Sequence, residues 1–161
     1  MNLVVLSLGS NVGNRLQYLT DAKRLLERNG CWTMKRSSVY ETEAWGNTEQ
    51  ASFYNAVLYT QTELSARELM NKILEIEKSL GRIRTEKWAP RTIDIDILFF
   101  NDEIVHEEHL TIPHPHLQER KFVLVPLDEI VPDLIHPVFK KNVSQLLLEL
   151  NDPSQATIVA I

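Results

Sequence analysis

The chain has 161 residues, 43% of them hydrophobic, and carries 17 Lys and Arg against 22 Asp and Glu for a formal net charge of -5. That is enough apolar sequence for one domain with a core, and too little for two comfortable ones; the acidic balance excludes a broad nucleic-acid face, which needs a basic surface. The single cysteine, Cys31, excludes an internal disulfide and a cysteine-based zinc site and fits a reducing compartment. The apolar run 3–8 is far too short for a membrane span and lacks the basic flank and cleavage site of a secretory signal, so a cytoplasmic location is expected.

Residues 3–6 read as a buried strand that ends at Gly9-Ser10-Asn11, after which Val12, Leu16, Leu19, Ala22, Leu25 and Leu26 recur at helical spacing until Asn29-Gly30. A second strand is predicted over 32–42 and a third, rich in β-branched and aromatic residues, over 53–62; the polar stretch 43–52 between them is a loop. Ser65 followed by Glu68 is a capping-box signature, and Ala66, Leu69, Met70, Ile73, Ile76 and Leu80 mark one face of a helix that stops at Gly81. A strand over 93–100 follows a basic loop, and Asn101-Asp102 suggests a turn into a short strand at 103–105. Beyond the prolines at 113 and 115, a short helix is expected over 122–130, and Asn142 is placed to cap another over 143–150. The order β-α-β-β-α-β, with two helices able to cover one face of an antiparallel sheet, predicts an α+β, ferredoxin-like sandwich with a C-terminal extension, as a single domain over 1–161.

The chemistry concentrates between Gly81 and Phe100. Side chains alternate along a strand, so Ile93, Ile95 and Ile97 point one way while Asp94 and Asp96 share the other side. Two carboxylates ~4 Å apart at an effective dielectric of about 20 repel by roughly 4 kcal/mol, so they require a cation or a nearby guanidinium. A plain amphipathic strand with a solvated acidic face would give the same pattern. Aspartate is disfavoured in strands, however, and Arg82, Arg84, Lys87 and Arg91 lie directly upstream, donors suited to phosphate oxygens. Magnesium is commonly held by one or two carboxylates together with substrate phosphates, so the segment reads as a site for a metal-bound polyphosphate. No G-x-x-x-x-G-K-[ST] is present, and Gly9 to Gly13 reads as a tight turn and helix start rather than a phosphate cradle. His114 and His116 lack acidic or cysteine partners and are assigned no metal.

Lys87-Trp88-Ala89-Pro90-Arg91-Thr92-Ile93-Asp94-Ile95-Asp96-Ile97-Leu98 is similar to the signature of the 6-hydroxymethyl-7,8-dihydropterin pyrophosphokinase family. Separated matches follow in the family's order: Leu8-Gly9-Ser10-Asn11, Tyr40-Glu41-Thr42 with Gly46, Asn55-Ala56-Val57, Glu77 before Gly81-Arg82, Leu110-Thr111-Ile112-Pro113-His114, and Arg120-Lys121-Phe122 with Pro126-Leu127. The resemblance implies transfer of pyrophosphate from ATP to the hydroxymethyl group of a reduced pterin, releasing AMP. It implies that Asp94 and Asp96 hold two magnesium ions, that Arg82 and Arg91 grip the phosphates as catalytic residues, and that Arg84 and Trp88 belong to a loop closing over the nucleotide. It further implies ATP contacts at Glu77, Ile97, Thr111, His114 and Arg120, and pterin contacts at Thr42, Glu43, Trp45, Phe53, Asn55, Trp88 and Phe122. ATP and 6-hydroxymethyl-7,8-dihydropterin are then the partners of an expected monomer, with no nucleic acid and no membrane.

Ala44 stands where many relatives carry proline, Phe53 where some have tyrosine, Ala89 where glycine is usual, His109 where some carry arginine and Pro115 in place of an aromatic. These departures touch loop mobility, nucleotide affinity and the pterin contact and leave the metal and phosphate groups intact. Two other readings of the residues stay open: a magnesium-dependent phosphohydrolase using the D-x-D, and a ferredoxin-like ligand-binding module.

Overall fold

The computed structural model describes residues 1–43, 51–82 and 92–159. The roles expected of Trp45, Arg84, Trp88 and Arg91, and the departures at Ala44 and Ala89, fall outside the described residues.

The first strand alternates its burden between two cores. In β1 (Asn2–Ser10), Val4, Leu6 and Leu8 face one layer while Val5 faces the other. Helices α1 (Arg15–Arg28) and α2 (Ala66–Ser79) cover the first face, where Leu19, Ala22, Leu26, Leu69, Ile73 and Ile76 pack against those leucines and against Ile93, Ile95 and Ile97. The helical spacing read from the sequence therefore marks the buried stripe. The predicted capping box of α2 is complete: Ser65 Oγ accepts from the Glu68 N–H at 3.1 Å and Glu68 Oε1 accepts from the Ser65 N–H at 3.0 Å. Ser65→Ala is expected to lower the unfolding free energy by about 1 kcal/mol, read from the midpoint of chemical denaturation at an unchanged slope.

The sheet is antiparallel, with order β5 (Asp94–Phe100), β1, β4 (Phe53–Thr62), β3 (Tyr40–Thr42), β8 (Thr157–Ile158), and β2 (Cys31–Arg36) also on β4. The fold is thus α+β, with an antiparallel sheet and helices packed on it. The strand expected over 32–42 is two strands placed end to end along β4. Between them Ser37 donates its N–H to the Val57 carbonyl, and its hydroxyl accepts the Val57 N–H, both at 2.9 Å. Ser38 turns its N–H and hydroxyl to the Glu129 carboxylate. Serine hydroxyls that compete for backbone partners interrupt the ladder, a possibility that β-propensity alone does not register.

Two other boundaries differ from the sequence reading. The strand expected at 103–105 begins later, as β6 (Val105–Glu107), and pairs with an unanticipated β7 (Leu110–Ile112); Asn101, in left-handed conformation at φ 51°, makes the turn before it. Gly9 lies inside β1 rather than in a turn, and it is Gly13, at φ 69°, that bends the chain into α1. The second face carries α3 (Lys121–Ile130) and α4 (Val143–Glu149), whose Val123, Leu124, Leu127 and Leu146 pack on Val5, Val57, Leu98 and Phe99. Asn142 caps α4 as expected, in a capping box with Gln145. None of the helices among the described residues is long and apolar enough to cross a membrane.

Candidate active site

Along the second face of the sheet the aliphatic residues give way to polar ones in every central strand. By the period of two, Val5 is followed by Ser7 and Gly9, Leu98 is preceded by Asp96 and Asp94, and Val57 is preceded by Asn55 and Phe53. The register aligns them: Asp94 sits opposite Gly9, Gly9 opposite Asn55 and Asn55 opposite Tyr40, with Asp96 opposite Ser7 in the next row. The two aspartates therefore do share a face, as the alternation predicts, and they share it with Asn55 and Phe53. Asn55 is buried and donates from Nδ2 to Thr42 Oγ1 at 2.6 Å, which fixes its amide orientation. A Cβ on Gly9 would stand 3.0 Å from Asn55 Oδ1 and 3.4 Å from Phe53 Cδ1. Glycine is what lets that amide and ring lie over the strand, a constraint visible in the sequence only as a motif match at Leu8-Gly9-Ser10-Asn11.

Arg82 reaches this group because of how α2 ends. Gly81, at φ 88°, reverses the chain; its N–H bonds the Lys78 carbonyl at 3.1 Å and the Arg82 N–H bonds the Glu77 carbonyl at 3.0 Å, a Schellman closure. The Arg82 side chain is thereby laid over Glu77, and its Nη1 donates to Glu77 Oε2 at 2.6 Å and Asp94 Oδ1 at 2.8 Å. Glu77, only 2% exposed, also accepts the Ile95 N–H at 2.8 Å. Its carboxylate is thus committed to positioning the arginine and the acidic strand. Ile97 is packed in the core on the opposite face from the aspartates, so any contact it makes with a nucleotide must run through its backbone.

The charge balance around Asp96 is the site's chief electrostatic feature. Withdrawal from water pushes its carboxyl up to about 7, Asp94 and Glu77 push the same way, and among the described residues Arg120 and Arg82 oppose them. An excess of negative charge among oxygen ligands fits a hard divalent cation such as magnesium. Among the described residues there is no group of three His, Cys, Asp or Glu able to hold a metal by themselves.

His114 borders this region. Its N–H bonds the Leu98 carbonyl at 3.0 Å, and its Nδ1 accepts the His116 N–H at 3.1 Å, which leaves Nε2 as the protonated nitrogen of the neutral ring. Burial first, then the Arg120 charge, pushes its pKa down to about 4. A lowered histidine contributes stability that is present above 6.5, its ordinary value, and lost as pH falls through about 4, whereas the raised Asp96 contributes stability present below 3.8 and lost as pH rises through about 7. The two oppose each other in the same window. Subtracting the pH–stability curve of His114→Asn, which keeps an acceptor for His116, from that of the wild type is expected to leave a difference falling between pH 6.5 and about 4.

Phe122 and Arg120 come from the start of α3, with the Arg120 guanidinium 5.6 Å from the Phe122 ring centroid. Thr111 lies in β7, opposite His106. A cleft of about 920 Å³ separates α2 from the β6–β7 hairpin, lined among others by Met70, Leu74, His109 and Leu110. Glu43 is exposed at the end of β3. Sequence reasoning passed over Arg15, which stacks 3.8 Å over the Tyr54 ring and donates to Ser52, bracing the entry to Phe53.

A sequence model of the 7,8-dihydro-6-hydroxymethylpterin-pyrophosphokinase (HPPK) family matches residues 5–132. The chain is 45% identical over 145 residues to the 2-amino-4-hydroxy-6-hydroxymethyldihydropteridine pyrophosphokinase of Aquifex aeolicus, covering 90% of each chain. It is likewise 45% identical over 130 residues to the enzyme of that name from Bacillus subtilis, covering 80% of this chain and 78% of the other. The folic acid synthesis protein fol1 of Pneumocystis carinii is 40% identical over 149 residues, 92% of this chain but 20% of that one. Among solved structures, Plasmodium falciparum HPPK-DHPS wild type with pterin and p-hydroxybenzoate superposes at a TM-score of 0.73 with 20% identity, over 92% of this chain and 41% of that chain. The wild type with pteroate gives 0.76 at 18% identity, over 92% and 44%. The chain spans about two fifths of those solved chains, and at such identities the likeness concerns the fold.

Proposed function

The chain belongs to the 7,8-dihydro-6-hydroxymethylpterin-pyrophosphokinase family, and from that premise we propose how its own residues transfer pyrophosphate from ATP to the hydroxymethyl group of 6-hydroxymethyl-7,8-dihydropterin, releasing AMP, in folate biosynthesis. The observation that carries the reading is the convergence of Asp94 and Asp96 with Asn55, Phe53 and Thr42 on one stretch of one sheet face. An acidic pair for a charged phosphate chain and an amide with an aromatic for a flat heterocycle are placed within reach of each other, as a two-substrate transfer demands.

The pterin lies between Phe53 and Phe122, whose rings gain dispersion and offset stacking against it, while Asn55 and the backbone of Thr42, Glu43 and Trp45 meet its polar edge. The buried amide is oriented by Thr42, so a ligand lacking the matching donors and acceptors leaves it unsatisfied. ATP enters from the cleft between α2 and the β6–β7 hairpin, which His109 and Leu110 line, and Thr111, His114, Arg120 and Trp88 are its further contacts. Nε2–H of His114 donates to a phosphate oxygen without adding a charge that depends on pH near neutrality. Asp94 and Asp96 would hold two magnesium ions, which would supply positive charge against the polyphosphate. Arg82 is now shared between Glu77 and Asp94; once Asp94 is otherwise neutralised, the same guanidinium is available to the phosphates. It and Arg91 meet charge that develops as the hydroxymethyl oxygen attacks the β-phosphorus and the bond to the AMP oxygen breaks. Arg84 and Trp88 close over the nucleotide and exclude water, whose attack would waste ATP.

Phosphorus NMR of a reaction with ATP, magnesium and hydroxymethyldihydropterin is expected to show AMP and a pterin diphosphate; ADP or free phosphate as products would support the phosphohydrolase reading instead. We further read the fold as a ferredoxin-like sandwich with a C-terminal extension, forming one pyrophosphokinase domain that works as a monomer in the cytoplasm. The lone, buried thiol of Cys31 supports that compartment.

A further inference from the structure

Lys121 occupies the first helical position of α3, where a cation opposes the helix dipole, and the preceding Arg120 makes no side-chain capping bond. Its ammonium is satisfied from far along the chain: Nζ donates to the Ser154 carbonyl at 2.8 Å and to the Asp152 carbonyl at 3.5 Å. Within that segment Asp152 Oδ1 accepts the Ser154 N–H at 2.8 Å. It then runs to the far side of the pterin slot. Thr157 and Ile158 form β8 against Glu41 and Tyr40 of β3, and the Val159 N–H bonds the Val39 carbonyl at 2.8 Å. Along this segment Pro153, Ser154 and Gln155 line a cavity of about 350 Å³ with Glu41, Thr42 and Ser52.

One segment thus ties the turn that bears Phe122 to the strand that bears Thr42. We propose that Lys121 is a positioning residue for the pterin: by holding the Asp152 and Ser154 carbonyls it sets the spacing between Phe122 and the Thr42–Asn55 pair. The inference rests on the pterin reading given above. A lysine placed against a helix dipole is a local cost, and the two carbonyl bonds offset it only while the strap is in place. The spacing of a stacking slot is sensitive to small displacements, because dispersion falls off steeply once a gap opens.

The test compares the full-length wild type with Lys121→Met, which keeps the apolar stem, and with Lys121→Arg, which keeps a cationic donor. Equilibrium binding of hydroxymethyldihydropterin is measured in the presence of a non-hydrolysable ATP analogue, and binding of the analogue is measured alone. Lys121→Met is expected to weaken pterin binding roughly tenfold while analogue binding stays within about twofold, and Lys121→Arg to restore most of the loss. Val159→Pro, which removes the bond to Val39 at the other anchorage, is expected to give the same selective loss. Unchanged pterin affinity in Lys121→Met, or an equal loss for both ligands, would overturn the proposal. A wild type that binds the analogue but no pterin would sink the functional reading itself, and the proposal with it.

Discussion

Replacing Asp96 by alanine is expected to lower turnover by at least about 10²-fold while the protein stays folded. The two halves of that expectation have different origins. Under the proposed function, turnover falls because Asp96 would be one of the two carboxylates holding the magnesium ions, and neither Ser7 opposite it nor Asp94 two residues away replaces its oxygens. The fold survives because β5 keeps its apolar contacts, Ile95 and Ile97 in the core beneath α2 and Leu98 and Phe99 in the second core, together with its backbone pairing with β1. Removing Asp96 also relieves a crowded group of acids, so the ligand-free variant is expected to be no less stable than the wild type at neutral pH. Steady-state kinetics at saturating substrates and thermal unfolding of the same preparation check both halves. Wild-type turnover in a folded variant would remove Asp96 from the metal site.

Glu77→Ala should do the opposite, costing about 3–5 kcal/mol of stability because it breaks a buried ion pair from one side. Glu77 is 2% exposed, and the Arg82 side chain is nearly as buried. With the carboxylate gone, the Ile95 N–H loses an acceptor and Arg82 keeps only Asp94 of the two acids it now bonds. The same change leaves Arg82 with Asp94 alone of these two acids, so under the role proposed for Arg82 turnover also drops. The order of effects separates two roles for Glu77. A large shift in the denaturation midpoint, with a nucleotide-analogue affinity that falls only as far as Arg82 is displaced, marks it as the support beneath the site. Wild-type stability with a specific loss of nucleotide affinity would make it a direct contact.

The sequence was sufficient for features governed by near neighbours. The capping box at Ser65 and Glu68, the cap at Asn142, the stop at Gly81 and the shared face of Asp94 and Asp96 each depend on a few successive residues and a fixed period. The spaced motifs likewise sufficed to identify the family resemblance, because they record which residue types stand at which positions.

What the sequence did not contain was register and the partners it creates. The break at Ser37-Ser38 arises because their hydroxyls find Val57 and Glu129, 20 and 91 residues away. Gly9 matters because pairing brings Asn55 and Phe53 over it, and Arg82 is sequestered because a left-handed glycine folds it back onto Glu77 and strand pairing brings Asp94 alongside. Lys121 looks like an exposed helix-start lysine until the chain returns, more than thirty residues later, to supply its carbonyls. Propensity and periodicity are sums over local backbone preferences, whereas these contacts are settled only when distant segments compete for the same hydrogen-bonding groups in a closed sheet.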